Sequence, residues 1–99
     1  MTAVSVITVL IIISSSISIL MVEKSPNSNI KTADDAMWWT METITTVGYG
    51  DKYPVTGEGR LIGVVLMVSG VGLFGTYTAY IASLFLGEKK KEEEQITNN

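Results

Sequence analysis

Two stretches of this chain contain no charged residue, Ala3–Val22 and Leu61–Leu86. An α-helix needs about 20 consecutive apolar residues to cross the ~30 Å hydrocarbon core of a bilayer, and both runs are long enough. A chain of 99 residues amounts to one small domain, and a soluble domain of that size rarely contains even one such run. The sequence therefore reads as an all-α membrane protein with two spans.

The first span is expected over 3–22. Its serines at 5, 14, 15, 16 and 18 do not oppose insertion, because a hydroxyl can bond back to the helix or pack against a neighbour. A cleaved signal peptide would need a basic leading segment and a shorter apolar run. The run begins after only Met1 and Thr2, which suggests a chain cut from something longer. The second span is expected over 60–87. Gly75, Ala79 and Ser83 recur there at every fourth residue, a small-residue stripe that lets helices approach. Alone, that stripe would indicate a dimerising helix. Gly70, Gly72 and Gly75 also weaken the helix enough to permit a bend. Lys89, Lys90 and Lys91 beside this span mark its end as cytoplasmic, which puts both termini inside and the 23–60 loop outside. A multi-pass protein of the plasma membrane is expected. Residues 88–99 read as a cytoplasmic tail, although the Lys–Glu run could extend the helix through i,i+3 and i,i+4 pairs.

Between the spans, 24–32 is polar and turn-prone, with Pro26, Asn27 and Asn29. Thr32 or Asp34 can cap a helix with acids in its first turn, and that helix is expected over 34–45. It is too short to cross. It either lies flat at the interface, which Trp38 and Trp39 would suit, or enters as a re-entrant helix followed by irregular backbone buried in protein. The Thr45–Gly50 stretch favours the second reading. Gly48 and Gly50 permit backbone angles that other residues resist, so successive carbonyls can face one way. Convergent carbonyl oxygens can replace the water around a bare monovalent cation. Lys52–Gly57 then turns back outward.

Composition excludes much else. Without cysteine there is no disulfide or thiolate, and without histidine no imidazole base or ligand. Acids and bases are mixed between the spans with no basic patch, so no nucleic-acid partner is expected. An acid pair without histidine, cysteine or a metal cluster gives thin support for an enzyme, and none is expected. No apolar segment carries arginine at every third position, so the chain holds no voltage sensor.

Span, short helix, Thr45-Thr46-Val47-Gly48-Tyr49-Gly50-Asp51 and glycine-bearing span together resemble the pore domain of a potassium channel, over the whole chain. Thr46–Gly50 is the known filter sequence of such channels, so this is a recognition and not an independent prediction. Met37–Asp51 is most like prokaryotic members, and the chain resembles the isolated pore module of a prokaryotic voltage-gated potassium channel. The resemblance implies a four-fold symmetric homotetramer in a lipid bilayer, built from outer helix, re-entrant pore helix, filter loop (46–51) and inner helix. It implies potassium ions as the permeant ligand, no organic cofactor, and a voltage-sensor domain missing from this chain.

The resemblance also assigns residues. Carbonyls of Thr46, Val47, Gly48 and Tyr49, with the Thr46 hydroxyl and Gly50 closing the loop, would form the K+ sites. Tyr49 would turn its ring outward, where Trp39 or Trp38 donates an indole N–H to its phenol. Glu42 would lie behind the filter beside Asp51, the two carboxyls sharing a proton, with Thr45 among the supporting residues. Val71, Phe74, Thr78 and Ala82 would line the cavity, and Ile81, Leu84 and Phe85 would close it. Gly70 matches the hinge position, and Tyr53 would ring the outer mouth for a quaternary ammonium blocker. Two rivals remain: a non-selective or sodium-conducting pore, and a non-conducting adaptor that oligomerises through the Gly75/Ala79/Ser83 stripe.

Overall fold

The computed structural model describes residues 1–98. Three helices carry it, α1 (Thr2–Val22), α2 (Ala33–Ile44) and α3 (Gly57–Asn98), with no strand among the described residues. Two of them, α1 and α3, are long and apolar enough to cross a membrane. The short α2 packs against both.

The start of α2 is fixed by Thr32 and not by Asp34. The Thr32 hydroxyl accepts the Asp35 N–H at 3.1 Å, while the Asp35 carboxylate accepts the N–H groups of Lys31 and Thr32 at 3.1 and 3.3 Å. This is a capping box with aspartate in the third position. At the other end Thr45 bonds back to Met41 O through its N–H and its hydroxyl, at 3.2 and 2.7 Å.

The inner helix is longer than the sequence reading at both ends. Thr56 caps it by accepting the Gly59 N–H at 3.0 Å, so the helix opens at Gly57 and not near Arg60. Past Gly87 it continues through Lys89–Glu94 as far as Asn98, where a tail was expected; Asn99 lies outside the described residues. Lysine and glutamate are good helix formers, and Glu88 and Lys91 stand at a favourable i,i+3 spacing. At 1.5 Å per residue its 42 residues reach about 63 Å, twice the ~30 Å apolar core of a bilayer.

Packing follows one seam. On α3 the buried positions are Gly59, Gly63, Leu66 and Gly70, continued by half-buried Leu73 and Tyr77, in alternating steps of four and three. On α1 the matching face holds Ser5, Thr8, Ile12, Ser16 and Ile19, continued by Glu23 just past its end. Glycines set the distances. A methyl group on Gly63 would stand 3.5 Å from the Trp39 ring, and one on Gly70 would stand 2.8 Å from the Ile44 carbonyl oxygen. Ser16 links α1 to α2, its hydroxyl 3.1 Å from Thr40 Oγ1 and 2.8 Å from its own helix at Ile12 O. The core formed where the three helices meet is Ile19, Ile30, Ala36, Trp39, Ile44 and Leu66.

Gly75, Ala79 and Ser83 are exposed and take no part in this seam. So are many large apolar residues, among them Leu61, Val68 and Phe85. One protomer leaves far more apolar surface open than a soluble monomer does, and lipid or further chains must cover it.

Gly70→Ala should overpack the α2–α3 crossing and destabilise the protein by about 1–3 kcal/mol. Thermal unfolding in detergent should show this as a lowered midpoint. Gly72→Ala, where an added methyl meets nothing, should leave the midpoint unchanged or slightly raised.

Candidate functional site

The chain leaves α2 under tight control. Thr46 N–H bonds to Thr43 O at 3.1 Å, and Gly48 N–H reaches back to Glu42 O at 3.0 Å. Between these anchors the backbone turns left-handed at every second residue: φ is +65° at Thr46, +58° at Gly48 and +85° at Gly50. That alternation is the condition under which successive carbonyls can face one side. Nothing lies within 4 Å of a methyl built on Gly48 or Gly50, so backbone angle and not crowding requires glycine there. Thr46 is the telling position. A β-branched residue in this region is strained by about 1–3 kcal/mol, and such strain concentrates at functional sites.

The supporting residues meet as follows. Trp38 stacks on Tyr49 with ring centroids 5.9 Å apart and planes 3° from parallel. Its indole N–H goes to Asp51 Oδ2 at 2.8 Å. Within one chain, the Trp38 indole thus bonds a carboxylate, a strong acceptor, and its contact with Tyr49 is a stack. Trp39 is buried against Gly63 and does not touch the filter loop in this way. Glu42 faces Asp51 and the Tyr49 N–H and is only 5% exposed. One of its carboxyl oxygens, Oε2, is buried with no partner. Partial burial pushes the Asp51 carboxyl up, but the bonds from Trp38, Glu42 and nearby backbone N–H groups outweigh it and hold it below the usual range.

Two residues that the sequence reading passed over tie the loop region together. Glu23, just past α1, is 4% exposed. Its carboxylate accepts the Val55 N–H, the Thr56 N–H at 3.4 Å and the Thr56 hydroxyl at 2.7 Å. It thus sits at the N-terminus of α3, where a negative charge is favoured, against buried Gly59, which leaves no room for a side chain. Burial raises its pKa, yet these hydrogen bonds prevail and hold it below the ordinary value. The second is Asn29, whose amide reaches Asp51 and Tyr53 across more than twenty residues. Only side-chain chemistry marks either one; an acid directly after an apolar span is the one signal that could have raised Glu23.

Of the residues assigned to the inner helix, Val71 borders this cluster. Val71, Phe74, Thr78, Ala82, Ile81, Leu84 and Phe85 are all exposed in the single chain, as are Val47, Tyr49 and Tyr53. A groove between loop and inner helix is lined by Glu42, Thr43, Thr46, Gly48, Met67 and Val71. The helix runs continuously through Gly70, whose glycine is accounted for by the Ile44 backbone beside it.

Two apolar helices around a short helix and a strained loop define a membrane pore module, and comparison bears this out. The family model described as ion channel matches residues 5–86, and the chain belongs to that family, which consists of channels and not enzymes. Within it, the chain is similar to potassium-channel pore domains. The calcium-gated potassium channel TvoK of Thermoplasma volcanium is 39% identical over 95 residues, 92% of this chain and 27% of the relative. A voltage-gated potassium channel of Aeropyrum pernix is 43% identical over 67 residues, 64% of this chain and 23% of the relative. The chain thus spans about a quarter of the length of these curated relatives. Among solved structures, a voltage-gated K+ channel pore module in a closed state in lipid membranes matches with a TM-score of 0.75 and 34% identity, over 89% of this chain and 92% of that one. A second such structure, of a pore domain, gives 0.72 at 34% identity over 85% and 93%.

The Glu23 anchorage makes a pH prediction. Its folded pKa lies below its unfolded one, so its contribution is full above the ordinary carboxylate value and is lost as pH falls through the lower, folded value. Glu23→Gln should cost about 1–3 kcal/mol near neutrality, the worth of hydrogen bonds to a charged group, and should flatten the acid limb of thermal stability measured in detergent.

Proposed function

We propose that the chain is the pore-forming subunit of a potassium-selective channel, conducting K+ passively through the backbone of Thr46, Val47, Gly48, Tyr49 and Gly50. The observation that carries this reading is the alternating left-handed backbone at 46, 48 and 50, held by the end of α2. A need for convergent carbonyls accounts for a threonine strained in this way. Potassium entering the loop exchanges its water for carbonyl oxygens and the Thr46 hydroxyl. Sodium, smaller and more tightly hydrated, is compensated less well.

One loop cannot surround an ion, and carbonyls cannot be left facing lipid, so the working unit is a homotetramer with its filter on the axis. The exposed apolar faces of α2 and α3 support this. In that assembly Val71, Phe74, Thr78 and Ala82 line a water-filled cavity, and Ile81, Leu84 and Phe85 form an apolar constriction that gates by dewetting. Bending falls to Gly72 or Gly75, where space is free, more readily than to Gly70. Tyr53 presents its ring at the outer mouth. The termini are cytoplasmic and the loop extracellular in the plasma membrane. A voltage-sensing or ligand-binding domain belongs to the longer architecture of the relatives.

Behind the filter, Trp38, Glu42 and Asp51 form a brace in which the two carboxyls share one proton, because two adjacent carboxylates cannot both ionise cheaply. Removing one carboxyl removes the coupled titration. Glu42→Ala should change the rate of current decline during sustained opening and abolish its dependence on pH between about 4 and 8. Unaltered kinetics over that range would exclude the brace.

The reading as a whole is tested by ion flux into liposomes that contain the purified protein. Uptake driven by a potassium gradient, blocked by barium and lost in Gly48→Ala, is the expected result. Equal sodium uptake would make it a non-selective pore, and no flux from an intact tetramer under any condition would make it an adaptor.

A further inference from the structure

The filter loop has two ends, and the brace just described acts at its back. Its exit, Asp51–Tyr53, is held from the opposite side by the loop between α1 and α2. Asn29 does this with both ends of its amide and with its own carbonyl. Its Nδ2 donates to the Asp51 carbonyl at 2.8 Å, and its Oδ1 accepts the Tyr53 N–H at 3.1 Å. Its own carbonyl accepts from Lys52 Nζ at 3.0 Å, and that ammonium also pairs with Asp35 at 3.1 Å. Donor and acceptor sides of the amide are both used, which fixes its orientation and gives a bidentate grip on main chain.

The residues on either side of the grip are buried. Ser28 is 3% exposed and accepts the Ile30 N–H at 3.1 Å; Ile30 is fully buried in the core. Asn29 thus projects from between two fixed residues and not from a loose surface turn. Through Lys52 the same contact reaches Asp35, the residue that closes the capping box of α2. The exit of the filter, the start of the pore helix and the outer loop are joined at this one side chain.

We propose that Asn29 is a positioning residue of the permeation pathway. By holding the backbone on both sides of Lys52, it keeps the loop in its strained, conducting arrangement and so sets how long a conducting episode lasts. This rests on the potassium-channel reading above. Without Asn29 the exit is held only by the Asp51 carboxylate on Trp38, and its main chain can relax, so loss of the outer grip shortens the conducting state without altering the sites that select the ion.

Single-channel records of the purified tetramer in planar bilayers test this. Asn29→Ala should shorten mean burst duration about tenfold, the effect of two lost hydrogen bonds, with the reversal potential between potassium and sodium solutions unchanged. Asn29→Asp retains the acceptor for Tyr53 but turns a carboxylate on the Asp51 carbonyl, and should shorten bursts as well. Because potassium binds only the conducting loop, raising outer potassium from a few millimolar to about 100 mM should lengthen the bursts of both variants. Asn27→Ala, a change in the same loop away from the exit, should leave bursts as they are. Asn29→Ala with bursts of normal length would overturn the proposal. Short bursts insensitive to potassium, with a lowered melting midpoint, would also overturn it, since they mark a merely structural residue. If the unaltered protein itself gives no potassium-selective current, the parent reading fails first and this one with it.

Discussion

A backbone that turns left-handed at Thr46, Gly48 and Gly50 has no regular ladder of hydrogen bonds to hold it. At membrane depth such a segment persists only where surrounding protein fixes it. That requirement organises the molecule. The inner end is tied to the last turn of α2 through Thr46 and Gly48. The outer end is tied to Trp38 by the Asp51 carboxylate and to Asn29 by the main chain. Strain at one threonine is offset by a set of bonds that each look minor alone.

The same requirement explains the glycines of α3. Gly59, Gly63 and Gly70 lie where the helix passes Glu23, Trp39 and the Ile44 backbone. They let α3 approach closely enough to act as a wall for α2. Below Leu73 the remaining polar contact is with α1, where the Tyr77 hydroxyl lies 3.1 Å from Ser5 Oγ and 3.3 Å from Thr8 Oγ1. The upper part of α3 therefore packs against α2 and the loop that follows it, and the lower part packs against α1.

Much of this was legible in the sequence because its causes are local. Twenty consecutive apolar residues are long enough to make a span, and Gly48 and Gly50 announce unusual backbone between the two runs. Thr32 and the acids after it mark the start of α2. The rest depends on contacts that leave no periodic trace. Glu23 meets Val55 and Thr56 more than thirty residues later, and Asn29 meets Asp51 and Tyr53 after more than twenty. Small-residue spacing pointed to Gly75, Ala79 and Ser83, whereas the seam inside the chain uses Gly59, Gly63 and Gly70; spacing alone does not say which face meets which neighbour. Trp38 and Trp39 are adjacent, so their roles separate only when the helix phase is known. One stacks on Tyr49, and the other fills the core.

The central claim is that this loop selects potassium. The most direct measurement is the reversal potential of the purified protein in a planar bilayer, with potassium on one side and sodium on the other. The account predicts a value close to the potassium equilibrium potential. A sustained current reversing near zero would contradict it, because selection requires sodium to be compensated less well than potassium.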